Sequence, residues 1–174
     1  MYVVSECLLG VKCKYNGGDN LSPGVVEFLK DKKYITVCPE RDGGLTTPRP
    51  PAEIQPDGRV INKEGLDVTP EFERGAALAL KSVYRQLMRD ADAADDCCAA
   101  SFMHDGVLTD SDGQPVTAVP KANSPSCGCG RIYDGNFNGT LTDGDGITAA
   151  LFRRNGIQLM TEKDLADSNF EGER

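Results

Sequence analysis

Short apolar, β-branched runs that end directly on a cysteine and a Gly- or Pro-containing turn are the feature that most constrains this chain. Val3-Val4 leads through Cys7-Leu8-Leu9 into Gly10, Tyr34-Ile35-Thr36-Val37 ends on Cys38-Pro39, and Thr117-Ala118-Val119 precedes Ser124-Pro125-Ser126-Cys127-Gly128. The first run reads as a strand leaving through Gly10. Between the runs lie helical patterns. Ser22-Pro23 is a cap-and-first-position pair for a helix over Val25 to Lys30. Thr69, read as the cap, precedes Pro70 and a helix to about Ala91, with Phe72, Ala76, Ala79, Leu80, Val83 and Leu87 spaced three and four residues apart. Gly144 to Asn155 reads as another helix, and Ile157 to Met160 as a last strand. Strands alternating with helices predict an α/β fold with a mainly parallel sheet flanked by helices in Rossmann-like layers. Ligands in such sheets bind outside the carboxyl ends of the strands, so cysteines on loops at those ends are expected to meet.

The 174-residue length suits one domain, taken as residues 1–164, followed by a polar tail over 165–174. Residues 39–53 read as a Pro/Gly loop, and Asp57-Gly58 as a hairpin turn before Val60-Ile61. A net charge of −8 argues against an extended nucleic-acid surface. The N-terminus lacks a basic, apolar leader, and no run is long enough to span a membrane. The chain therefore reads as cytoplasmic, where clustered cysteines bind metal or act in catalysis more often than they cross-link.

Seven cysteines stand against one histidine, His104, so soft-metal chemistry here is sulfur chemistry. The spacing fits neither the paired knuckles of a zinc finger nor the compact run of a ferredoxin. Three thiolates from three strand ends could hold a [4Fe–4S] cluster by three corners and leave one iron open. Cys7 could instead be a buried core thiol, a reading that fits Cys38 less well and Cys127 least. Cys13 could be a fourth ligand, a thiol beside the ligands or a surface thiol. Cys97, Cys98 and Cys129 read as incidental. Glu40, two residues after Cys38, could be a general acid or base or a solvated loop carboxylate. Ser124 and Ser126 could position substrate or simply close a turn. Arg49 could fork an anion or pair with Glu53.

Taken together, Ser-x-Cys-Leu-Leu-Gly-x-x-Cys-Lys-Tyr-Asn-Gly-Gly (5–18), Cys-Pro-Glu-x-x-Gly-Gly-Leu-x-x-Pro-Arg-Pro-Pro-Ala-Glu-Ile (38–54) and Ser-Pro-Ser-Cys-Gly-x-Gly-x-Ile-Tyr-Asp-Gly-x-Phe (124–137) resemble the TudS-like family, typified by 2-thiouracil desulfidase. The resemblance spans about residues 3–162. It implies a small cytosolic α/β enzyme that removes sulfur from a thiolated pyrimidine, thiouracil or thiouridine monophosphate. C=S becomes C=O, and hydrogen sulfide is released. It implies a [4Fe–4S] cluster on Cys7, Cys38 and Cys127, with Cys13 in reserve, and catalytic roles for Glu40 and Ser124. Arg49, Lys121 and Lys14 are candidates for a substrate phosphate. Asn16 stands where the family often has aspartate, and Asp19 is a possible substitute. Pro120 departs from the family pattern and is expected to cost the strand before Cys127 a ladder donor. The partner expected is a small molecule, with the protein a monomer or homodimer. Two rivals stand beside this reading: a non-catalytic metal- or iron–sulfur-binding module, and a metal-free thiol enzyme with Cys127 as nucleophile.

Overall fold

The computed structural model describes residues 1–91 and 102–168. Cys97 and Cys98 lie outside the described residues. Four parallel strands form the central sheet: β1 (Tyr2–Ser5), β2 (Tyr34–Val37), β7 (Thr117–Val119) and β10 (Gln158–Leu159), in the order β10-β7-β1-β2. The register sets Ser5 opposite Val37 and Val4 opposite Val119. Parallel pairing puts the carboxyl ends of β1, β2 and β7 on one edge of the sheet.

Alternation along β1 assigns the two faces, because successive side chains on a strand point to opposite sides. Val3 packs with Val37, Ala118, Val83, Leu87 and Phe152, under α3 (Thr69–Asp90) and α4 (Ile147–Arg154). Val4 packs with Val119, Val25, Leu29 and Leu165, under α1 (Pro23–Leu29) and α5 (Glu162–Ser168). The result is a helix–sheet–helix sandwich. Both faces of β1 are buried, which is why its sequence is an unbroken apolar pair and not an apolar–polar alternation. On α3 the buried side chains are Phe72, Ala76, Ala79, Val83 and Leu87, one stripe at helical spacing.

Several local expectations differ from the fold. Strand β1 stops at Ser5, and residues Glu6–Leu9 form a turn of 3-10 helix. Gly10, at φ 87°, ends it, and the Gly10 and Val11 N–H groups bond back to the Cys7 and Glu6 carbonyls. The supposed loop from residue 39 begins with a helical turn, α2 (Pro39–Asp42), started by proline at its first position, and closes in β3 (Ala52–Ile54). The hairpin turn at Asp57-Gly58 joins β3 to β4 (Val60–Asn62) as expected, and a second small hairpin pairs β5 (Met103–His104) with β6 (Val107–Leu108). Val68, not Thr69, caps α3; the Thr69 hydroxyl instead accepts the Val60 N–H at 2.8 Å. Helix α4 starts at Ile147 because Gly146 is extended and donates to the Gly128 carbonyl at 2.7 Å. Pro120 lies one residue beyond β7 and removes no ladder bond; Lys121 N–H donates to the Ser5 hydroxyl at 3.1 Å. The chain after Asp164 remains helical to Ser168, with Leu165 buried against the α1 side of the sheet.

Glycine decides how α2 meets α3. A Cβ on Gly75 would run into the Pro39 carbonyl oxygen, and one on Gly43 into the Glu71 carbonyl oxygen. Both obstacles are backbone, so neither can swing aside. The two segments therefore touch backbone to backbone, which fixes Pro39-Glu40 against α3. Gly75→Ala is expected to destabilise the protein by about 1–3 kcal/mol, because the added methyl must push α2 away. A thermal unfolding curve reads the effect, and a Tm equal to that of the wild type would show that the contact is not tight.

Candidate active site

A cleft of about 560 Å³ opens at the carboxyl edge of the sheet. Its floor carries Cys7, Cys13, Cys38 and Cys127 together with Glu40 and Ser124. Each arrives by a different route. Cys7 rides the 3-10 turn after β1, Cys38 caps α2 directly after β2, and Cys127 lies on the turn that follows β7. Cys13 comes back over the same cleft from the polar segment after Gly10, and it is only 2% exposed.

The thiols differ in their surroundings. The Cys13 thiol stands beside Cys7 and Cys38, and Cys38 Sγ reaches the Cys13 carbonyl at 3.9 Å. The Cys13 neighbour brings the Cys7 thiol down to about 7, with Asn20 and Lys121 adding to the effect. The Cys13 contact also lowers Cys38, helped by a backbone donor at Arg41. Cys13 itself is pushed well up by the neighbouring Cys38 and Cys7 and by burial. Burial raises Cys127 well above an ordinary thiol, and the neighbouring Ser126 and Ser5 only partly offset it.

The turn that presents Cys127 is built by Ser124. Its hydroxyl oxygen accepts the Ser126 N–H at 3.1 Å and the Cys127 N–H at 3.2 Å, and its carbonyl accepts the Gly128 N–H at 2.8 Å. A hydroxyl has two acceptor positions and one donor. With both acceptors in use, the Ser124 O–H is left to donate into the cleft.

Glu40 is oriented by Arg49. One carboxylate oxygen, Oε2, takes both Nε and Nη2 of Arg49 at 2.8 Å. The same guanidinium donates to the Cys13 carbonyl at 3.0 Å and to the Thr46 carbonyl and Thr47 hydroxyl at 3.1 Å. Arg49 thus ties Glu40 to the Cys13 segment, and its donors are spent within the protein. It pairs with Glu40, whereas Glu53 accepts the Phe137 N–H at 3.0 Å.

Of the residues considered for substrate, Lys14 and Lys121 line the cleft with Arg49. Lys121 pairs with Glu162 at 2.5 Å and donates to the Ala122 carbonyl. Lys14 has its ammonium 5.6 Å from the Tyr15 ring centre. Asn16 and Asp19 are not among the cleft residues; their side-chain oxygens close turns onto Gly18 and Leu21 N–H. Cys129 and His104 also lie outside the cleft. Sequence reasoning overlooked Lys63, Tyr133 and Phe137, all on the cleft wall. Phe137 and Tyr133 sit on a hairpin, β8 (Arg131–Tyr133) and β9 (Leu141–Asp143), whose signal was Asn138-Gly139 between apolar residues.

Among the described residues no three His, Cys, Asp or Glu side chains are grouped so as to hold one metal ion. The thiols instead line the cleft from separate segments. An all-sulfur donor set suits soft-metal and iron–sulfur chemistry. Among the described residues no helix is long and apolar enough to cross a membrane.

An α/β layer protein with thiols, a clamped carboxylate and a serine donor at the carboxyl edge of its sheet has the makings of an enzyme that works on a small molecule. The chain belongs to the 2-thiouracil desulfurase family, whose model matches residues 2–164. A curated relative, "Uncharacterized protein YbbK" of Bacillus subtilis (strain 168), is 32% identical over 176 residues, covering 96% of this chain and 99% of that protein. The solved structure of the [4Fe-4S]-dependent thiouracil desulfidase TudS superposes with a TM-score of 0.73 at 38% identity, covering 98% of this chain and 95% of that one. Family and structure together support desulfidase activity.

Proposed function

We propose that this protein is an iron–sulfur-dependent desulfidase that converts the C=S of a thiolated pyrimidine to C=O and releases hydrogen sulfide. The observation that carries the reading is the convergence of Cys7, Cys38 and Cys127, from the ends of three parallel strands, on one cleft with Glu40 and Ser124. Those three thiolates would hold a [4Fe–4S] cluster, with Cys13 beside Cys7 and Cys38. A cluster held there would supply Lewis-acid chemistry for a substrate sulfur.

The remaining work falls to side chains. Glu40 keeps Oε1 clear of the Arg49 clamp, so it can accept a proton from the water that attacks the ring carbon. The clamp fixes the direction of that oxygen and so shortens the search for a reactive geometry. The Ser124 O–H, its only open hydrogen-bonding capacity, can donate to substrate or to water. Two cleft lysines, Lys14 and Lys63, have no carboxylate partner among the described residues, which suits a thiouridine monophosphate as well as a free thiouracil.

Anaerobic reconstitution with iron and sulfide, an absorbance spectrum, and sulfide release from a panel of thiolated uracils and uridylates test the reading. The expected result is a brown protein with about four irons per chain that releases sulfide from at least one member. A reconstituted cluster with no sulfide release from any of them would leave a non-catalytic binding module, and a colourless protein active in air would indicate a metal-free thiol enzyme.

A further inference from the structure

Phe137 is a non-glycine residue held at φ 54°, in the left-handed region that side chains rarely adopt. Its N–H donates to Oε2 of Glu53 at 3.0 Å. The same loop is pinned a second time, where Gln55 Nε2 donates to the Gly135 carbonyl at 3.0 Å. Glu53 in β3 and Gln55 just after it therefore hold the Phe137 loop in place. Strain of this kind persists only where the surroundings over-determine it, and it gathers at binding sites.

Glu53 itself is 7% exposed and lines the cleft with Cys127 and Glu40. Its other oxygen, Oε1, has no hydrogen-bond partner among the described residues, yet no buried side-chain oxygen is sealed away without one. Oε1 therefore keeps accessible surface, on a residue that lines the cleft. A nearly buried acceptor left for a ligand, beside an aromatic ring in a fixed pose, is a site for a flat ring that carries an N–H.

We propose that Glu53 Oε1 accepts the N3–H of the pyrimidine while the Phe137 ring packs on its face. The inference rests on the desulfidase reading above and specifies how the ring is recognised. N3 lies between the two carbons that can carry sulfur, so a bond to N3–H orients either one. It is also the ring N–H that remains when N1 carries a ribose. Glu53 and Phe137 are thus specificity-determining residues, separate from the thiols and from Glu40.

The test uses anaerobically reconstituted protein and three probes, uracil, 1-methyluracil and 3-methyluracil, followed by titration calorimetry. Wild type is expected to bind uracil and 1-methyluracil alike and 3-methyluracil about tenfold more weakly or worse, the size of a lost hydrogen bond to a charged acceptor. Glu53→Ala should bind all three alike. Because Glu53 also holds the Phe137 loop, Glu53→Gln is measured beside it. Its amide oxygen can keep the Phe137 N–H bond while the NH₂ meets the ring N–H donor to donor, so the preference for uracil should vanish with the loop still anchored. Phe137→Gly relieves the backbone strain and removes the ring; it should weaken all three by about tenfold while keeping their ratio. Undiminished discrimination against 3-methyluracil in both Glu53 variants, or a wild type that accepts 3-methyluracil as readily as uracil, would overturn the N3–H contact. Unchanged affinities in Phe137→Gly would overturn the stacking. Sulfide release from 2-thiouracil by the same wild-type preparation separates the two failures: release without N3 discrimination sinks only this inference, whereas neither release nor uracil binding sinks the desulfidase reading with it.

Discussion

Alanine in place of Cys127 is expected to give a folded protein that binds far less iron and releases no measurable sulfide. Cys127 is 9% exposed, and its turn is built without its sulfur: the Ser124 hydroxyl holds the Ser126 and Cys127 N–H groups, and Gly128 and Gly146 close the backbone behind it. Losing the thiol therefore removes one small buried group, at a cost of about 1 kcal/mol, and leaves the turn standing. What it removes chemically is one of three strand-end thiolates. On the proposed ligand set two corners remain, and Cys13 comes from the same segment of chain as Cys7 and so does not replace the anchor after β7. Circular dichroism, iron content after reconstitution and sulfide release measured together check this. Full activity in Cys127→Ala would remove Cys127 from the ligand set.

Glutamine at position 40 is expected to act on the reaction and not on the cluster. The Glu40→Gln amide oxygen can still accept from Arg49, so the links of Arg49 to Cys13, Thr46 and Thr47 persist, with a loss of about 1–3 kcal/mol from the exchanged ion pair. Proton acceptance is lost. A general base contributes about 10²- to 10⁴-fold, so kcat should fall by that factor while iron content and uracil affinity stay near wild type. An unchanged kcat would mean that Glu40 serves only as the partner of Arg49.

Much of this protein was readable as pattern. The apolar runs at Val3-Val4, Tyr34 to Val37 and Thr117 to Val119 are strands, and the stripe from Phe72 to Leu87 is the buried face of α3. These features depend on local periodicity and on burial of one or both faces, which neighbouring residues encode. The errors fell where tertiary contacts override local preference. Cys7-Leu8-Leu9 looks like a strand continuation, but the left-handed Gly10 and the returning carbonyl bonds wind it into a turn. Pro120 looks like a broken strand, but the strand has already ended and Ser5 receives the next N–H. Arg49 looks like a free anion fork until its partners are placed around it: Glu40, the Cys13 carbonyl, Thr46 and Thr47.

By itself the sequence determined the α/β layering, the placement of Cys7, Cys38 and Cys127 near strand ends and, through its three cysteine motifs, the family resemblance. Tertiary structure alone decided which side chains share the cleft and which hydrogen-bonding capacities remain open there among the described residues: the Ser124 donor, Glu40 Oε1 and Glu53 Oε1. The physical reason is separation along the chain. Periodicity is a property of a few adjacent residues, whereas the Glu53–Phe137 bond joins positions 84 residues apart and exists only once β3 and the β8–β9 hairpin have packed around the same space.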